Sequence, residues 1–144
     1  MNPPKKKYQI LLVDDSEDDR FFMRMALQEQ SHLAIVAELC DGEEAIAYLS
    51  GQGCFADRKM HPFPDLIFLD LKMPRKSGFD VLVWLKTQQF SQLPIVVLSG
   101  SFLPEDMEKS YALGAAAYHI KTATREEQAA MIATIEKVLE KKPR

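Results

Sequence analysis

Three aspartates, one serine and one lysine stand at the ends of four short apolar runs, and together they suit phosphoryl chemistry. Residues 10–13 (ILLV) run into Asp14 and Asp15, and residues 66–69 (LIFL) run into Asp70. Residues 95–98 (IVVL) run into Ser99, and residues 116–120 (AAYHI) run into Lys121. If the runs are parallel strands, their carboxyl ends share one sheet edge and bring these side chains to one crevice. Crowded carboxylates raise one another's pKa, a cost that a hard divalent cation offsets. Mg²⁺ takes oxygen ligands and is held by one or two carboxylates plus phosphate. Asp15 and Asp70 are the expected direct ligands, with Asp14 acting through water. Asp70 is placed to be the nucleophile, since a carboxylate can accept a phosphoryl group as an acyl phosphate. Lys121 supplies a point charge for a phosphoryl oxygen; Ser99 and the backbone N–H groups after Asp70 supply hydrogen bonds. Each residue alone has a plainer reading: an acidic helix start, a turn serine, a solvated strand-end lysine. Their joint placement is the signal.

The elements that must position these groups are legible in the same way. Residues 8–13 form a continuous apolar run, as in a strand covered on both faces. Ser16 or Asp18 can cap a helix carrying Phe21, Phe22, Met25 and Leu27 at mainly helical spacing. Residues 33–39 suit a second strand, and Asp41-Gly42 leads into a helix with Ala45, Ile46 and Leu49 that stops near Gly51. Residues 51–64, rich in Gly, Pro and charge, read as a long loop. After the third strand come Pro74, Gly78 and a helix with Val81, Leu82 and Leu85. Pro94 restarts the chain as a fourth strand, and Pro104 opens the next helix. Thr124 and Glu127 predict a capping box for a last helix with Met131, Ile132, Ile135, Val138 and Leu139 on its apolar face. Five strands alternating with five helices imply an α/β fold, a doubly wound parallel sheet ordered 2-1-3-4-5. Its switch point, between strands 1 and 3, is flanked by Asp14-Asp15 and Asp70.

Composition sets the outer bounds. At 144 residues the chain has one domain's length, and no apolar stretch approaches the roughly 20 residues that span a bilayer. A net charge of -3, with basic runs only at Lys5-Lys6-Lys7 and Lys141-Lys142, argues against a nucleic-acid-binding face. Cys40 and Cys54 form no metal-binding pattern, which predicts free thiols and a cytoplasmic setting. The expected organisation is a basic tail over residues 1–7, one domain over 8–140 and a short tail over 141–144.

The segments ILLVDDSEDD, DLIFLDLKMPRKSGFDVL, PIVVLSGS and AAAYHIK, in this order and spacing, resemble the receiver domain of two-component response regulators. The resemblance covers about residues 8–139 and implies a flavodoxin-like receiver fold. It implies that Asp70 accepts a phosphoryl group from a phosphohistidine on a sensor histidine kinase. It further implies that Asp14, Asp15, Asp70 and the backbone carbonyl of Lys72 hold Mg²⁺. Ser99 matches the switch hydroxyl, Lys121 the phosphate-contacting lysine and Tyr118 the aromatic whose ring moves between states. On that reading Ser99 is drawn to the phosphoryl group and Tyr118 fills the space it leaves. The fourth helix, fifth strand and fifth helix then present an altered surface to a partner or to a second copy in a homodimer. The chain is thus expected to be a signalling protein with slow self-dephosphorylation rather than an enzyme.

Two features depart from the family pattern. Receivers usually carry a proline after the lysine, often through a cis bond, where this chain has Thr122. The loop over residues 51–64 is long. With no output domain in sequence, both resemble stand-alone receivers paired with phytochrome-like sensor kinases. Two enzyme-class or cofactor-class alternatives fit less well. An aspartyl-nucleophile phosphatase would carry a second acid where Lys72 stands, and a flavin-binding flavodoxin would find its phosphate repelled by Asp14-Asp15. A receiver-shaped module that no longer uses phosphate is opposed by the presence of all five site side chains.

Overall fold

The computed structural model describes residues 7–88, 90, 93–121 and 124–140. The tail residues 1–6 and 141–144, and the Lys121–Thr122 bond at the position where receivers often carry a cis peptide, lie outside the described residues. The strands are β1 (Tyr8–Val13), β2 (Leu33–Leu39), β3 (Leu66–Leu69), β4 (Ile95–Ser99) and β5 (Ala117–Ile120). The helices are α1 (Glu17–Gln28), α2 (Gly42–Ser50), α3 (Gly78–Lys86), α4 (Pro104–Ala112) and α5 (Arg125–Glu140). All strand pairs are parallel, and the order is β2-β1-β3-β4-β5, as the alternation of strands and helices predicts.

The period-2 geometry of a strand splits the core into two layers. Ile10, Leu12, Phe68 and Val96 face a layer completed by Met23 and Leu27 of α1 and by Met131, Ile135 and Leu139 of α5. Leu11, Val13, Leu69 and Val97 face the opposite layer, with Ala45, Tyr48 and Leu49 of α2 and Val81, Leu82 and Leu85 of α3. Burial on both faces explains why β3, most of β4 and the end of β1 read as unbroken apolar runs.

The helix starts follow the caps. Ser16 accepts the Asp19 N–H at 3.2 Å, Asp41 accepts the Glu44 N–H at 2.8 Å, and Thr124 accepts the Glu127 N–H at 3.3 Å. Gly51, at φ 67°, ends α2 in the left-handed conformation that glycine tolerates.

One expectation needs correction. The buried face of α1 is Met23, Ala26 and Leu27, whereas Phe21, Phe22 and Met25 are about half exposed. Apolar residues cover too much of this helix for spacing alone to select a face. Polar anchors decide it: Arg24 forms a bidentate pair with Glu38 of β2 at 2.7 Å and 2.7 Å, and Arg20 donates to the Asp14 carbonyl at 2.6 Å. Residues 51–64 form the long loop that the sequence predicts, with one 3₁₀ turn (Gly53–Phe55) and a fastened segment. Arg58 donates to the carbonyls of Tyr48 and Leu49 at 2.8 Å and 2.9 Å, adding charged donors at the end of α2, where helix carbonyls run short of backbone partners. The Tyr48 hydroxyl donates to the Pro62 carbonyl at 2.8 Å, and the Arg58 guanidinium lies over the Tyr48 and Phe63 rings. Arg58→Ala should therefore lower unfolding free energy in urea by about 1–3 kcal/mol, through lost charged hydrogen bonds and cation–π contact. Phosphoryl labelling of Asp70, which sits at the sheet's carboxyl edge and away from the end of α2, should persist in that variant.

Candidate functional site: an acidic crevice crossed by one lysine

The carboxyl ends of β1 and β3 lie side by side, with Val13 in register with Leu69. The residues that follow them must therefore meet. The Asp14 N–H donates to the Leu39 carbonyl at 2.9 Å and the Asp70 N–H to the Val13 carbonyl at 3.0 Å. Asp14 and Asp70 are buried while Asp15 is exposed at the rim. Carboxylate oxygens of Asp14, Asp15 and Asp70 come within 4.8 Å of one another, close enough to share one ion. Three hard oxygen donors with an open side are the donor set of a Mg²⁺ site.

Burial pushes the Asp70 carboxyl up, Lys121 pulls it down and the Asp14 charge pushes it up again, to about 6. Its Oδ1 accepts the Lys72 N–H at 3.4 Å. The loop beyond Asp70 is fixed at both ends. The Gly78 N–H donates to the Leu71 carbonyl at 2.9 Å, and the Gly42 N–H donates to the Lys76 carbonyl at 3.0 Å. Ser77 forms a reciprocal capping box with Asp80 at the start of α3, a feature the sequence reading missed.

Lys121 crosses the crevice from the end of β5. Its Nζ lies 2.8 Å from Asp14, 2.8 Å from Asp19 and 3.3 Å from Asp70. Burial works against the ammonium, but hydrogen bonds to Asp14 and Asp19 and the charges of Asp70 and Asp14 hold it firmly protonated. The Lys121 N–H also donates to the Ser99 carbonyl at 2.8 Å, tying this lysine to the end of β4.

Ser99 is buried at the end of β4, and its Oγ accepts the Ser101 N–H at 3.1 Å. Ser101 links three elements. Its Oγ donates to Asp106 of α4 at 2.6 Å, and its carbonyl accepts the Tyr118 hydroxyl at 3.1 Å. Tyr118 is buried with its ring in the core, and its N–H donates to the Tyr111 hydroxyl at 3.1 Å. The ring thus points into the core while the Ser99 Oγ is bonded to the Ser101 N–H.

Asp14, Asp15, Asp70 and Lys121 are brought together as the sequence predicts, and Ser99 lies one hydrogen bond from the Lys121 backbone. Asp19 and Ser101 were missed. The capping serine at position 16 was the usable signal for Asp19, because it sets Asp19 at the third helical position, within reach of the strand end. Ser101 carries no such signal, since its role depends on a loop path.

The sequence matches the response regulator receiver domain over residues 10–133. This chain belongs to that family. Among its relatives is the response regulator Rcp1 of Synechocystis sp., 36% identical over 138 residues, a match covering 94% of this chain and 88% of Rcp1. The crystal structure of the phosphorylated cyanobacterial phytochrome response regulator RcpA superposes with a TM-score of 0.81 at 32% identity, covering 96% of this chain and 97% of RcpA. The Mn²⁺-bound form of Rcp1 superposes with a TM-score of 0.79 at 31% identity, covering 95% of this chain and 97% of that one. Receiver domains bind Mg²⁺ in an acidic pocket, and the cluster of Asp14, Asp15 and Asp70 is its counterpart in this receiver. No helix among the described residues is long and apolar enough to cross a membrane.

Proposed function

We propose that this receiver is a phosphorylation-operated switch in which Asp70 takes a phosphoryl group from a phosphohistidine of a sensor kinase. The observation that supports this most is the buried Asp70 carboxylate, with Lys121 at 3.3 Å and two further acids alongside. Asp70 attacks phosphorus, the donor's P–N bond breaks, and the histidine ring recovers a proton. Asp14, Asp15, Asp70 and the Lys72 carbonyl are the groups that would hold Mg²⁺, which spreads the charge of the transferring phosphoryl group when bound. Lys121 meets a phosphoryl oxygen with its ammonium, and the Lys72 N–H beside Asp70 adds a hydrogen bond. Water attack on phosphorus later regenerates the carboxylate and releases inorganic phosphate, so the state decays slowly by itself.

Because Tyr118 is already inside, the switch in this reading starts at Ser99. Its hydroxyl turns from the Ser101 N–H towards the phosphoryl group, and the 100–103 loop is released from that tether. The same loop holds the Tyr118 hydroxyl and the start of α4, so the change reaches the α4–β5–α5 face. Phe102, Leu103, Met107 and Tyr111 are exposed there, which suits a protein partner or a second copy. The resemblance in length and sequence to phytochrome response regulators favours a phytochrome-like kinase as the phosphodonor.

Incubation with acetyl phosphate and Mg²⁺, followed by intact-protein mass measurement, tests the chemistry. One added phosphoryl group is expected, and its addition should fail in excess chelator. Equal labelling with and without chelator would contradict the metal-dependent reading.

A further inference from the structure

Lys121 and the proposed metal site draw on the same oxygens. Two of its three carboxylate contacts, Asp14 and Asp70, are also members of the Asp14–Asp15–Asp70 cluster. An ammonium 2.8 Å from Asp14 repels a divalent cation arriving at that carboxylate, so it must yield before the ion can settle. It must also stay near, because a phosphoryl group on Asp70 needs its charge. The third contact resolves the conflict. Asp19 lies 2.8 Å from the same Nζ, and among the described residues it does not join the group of acids that could share the ion.

We propose that Asp19 is a positioning residue: it retains the Lys121 ammonium at the rim of the crevice while Asp14 and Asp70 turn to the cation. This inference rests on the reading of Asp14, Asp15 and Asp70 as the Mg²⁺ site. Two features of the structure suit Asp19 to the task. Its backbone is fixed, with its N–H on the Ser16 Oγ at 3.2 Å, while the Ser16 N–H donates to Asp14 Oδ1 at 2.9 Å. One cap thus sets the spacing of two of the three acids that hold the lysine, Asp14 and Asp19. Its carboxylate is also the most accessible of the three, at 36% side-chain exposure against 3% for Asp14 and 6% for Asp70. A lysine drawn towards Asp19 therefore moves outwards and regains water as it releases the buried acids.

Calorimetric titration with Mg²⁺, without any phosphodonor and at physiological ionic strength, tests the inference on metal affinity alone. Asp19→Asn should weaken Mg²⁺ binding roughly five-fold, because the freed ammonium settles on Asp14 and Asp70. Lys121→Met should tighten binding by removing the competitor. In the Lys121→Met background, Asp19→Asn should change affinity by no more than about two-fold, since no ammonium remains to be displaced. Asp19→Glu should restore most of the affinity lost in Asp19→Asn. An equal loss in both backgrounds would show Asp19 acting on the ion as a distant charge, which overturns the proposal, as would an unchanged affinity in Asp19→Asn. Failure of the unsubstituted protein to bind Mg²⁺ would instead overturn the metal-site reading and this inference with it.

Discussion

Asp70→Asn should take up no phosphoryl group from acetyl phosphate, and in magnesium-free buffer at pH 7 it should be more stable than the parent protein. The first half follows from chemistry, because an amide oxygen lacks the charge to attack phosphorus and form an acyl phosphate. The second follows from the crowding of the crevice. Burial and the neighbouring Asp14 raise the Asp70 carboxyl from 3.8 to about 6, so the folded protein binds this proton more tightly than the unfolded chain does. A raised carboxyl withdraws stability as pH climbs from the unfolded value through the folded one. The penalty is thus fully present above pH 6 and absent below about pH 4. Asn keeps the shape and removes the charge, so unfolding in urea at pH 7 should show a gain of roughly 1–3 kcal/mol. The gain should shrink as pH is lowered towards 4. A variant that loses phosphorylation but is also less stable at pH 7 would point to collapse of the crevice, not to loss of a nucleophile.

Gly78→Ala should be severely damaging for so small a substitution. A Cβ placed there would sit 2.2 Å from the Asp70 carbonyl oxygen and 2.8 Å from the Leu71 Cα. Both are backbone atoms, so neither can rotate away, and the start of α3 must part from the end of β3. Overpacking of this kind costs about 3 kcal/mol or more where nothing can yield. The displaced segment carries the phospho-acceptor itself, so acetyl phosphate labelling should fall together with stability. Gly53→Ala makes the contrast. At φ 57° with open space around it, that position should lose only about 1 kcal/mol. Urea unfolding of the two variants side by side separates a close backbone approach from ordinary turn strain.

Much of this architecture was legible because its signals are local. The strands announce themselves as apolar runs buried on both faces, and the helix starts follow from Ser16, Asp41, Pro104 and Thr124. Topology then does the remaining work: once β1 and β3 are neighbours, Asp14 and Asp70 have no choice but to meet. What stayed hidden depends on side chains choosing among partners. The apolar residues of α1 admit more than one buried face, and the ion pairs of Arg20 and Arg24 with Glu38 decide between them. Residues 51–64 look featureless because their order comes from Arg58 reaching back to carbonyls of another element. Asp19 reads as one more acid in an acidic helix start until Lys121 is seen to touch it. The inward ring of Tyr118 combines core packing with a hydrogen bond to the Ser101 carbonyl, a loop path that no pattern of residue types encodes.

The most direct test of the central claim is to locate the phosphoryl group. After incubation with acetyl phosphate and Mg²⁺, borohydride reduction converts an aspartyl phosphate to homoserine, which peptide mass mapping places in the sequence. Conversion at position 70 alone is the expected result. Conversion at Asp14, Asp15 or Asp19 in place of Asp70, or none anywhere despite bound Mg²⁺, would contradict the account.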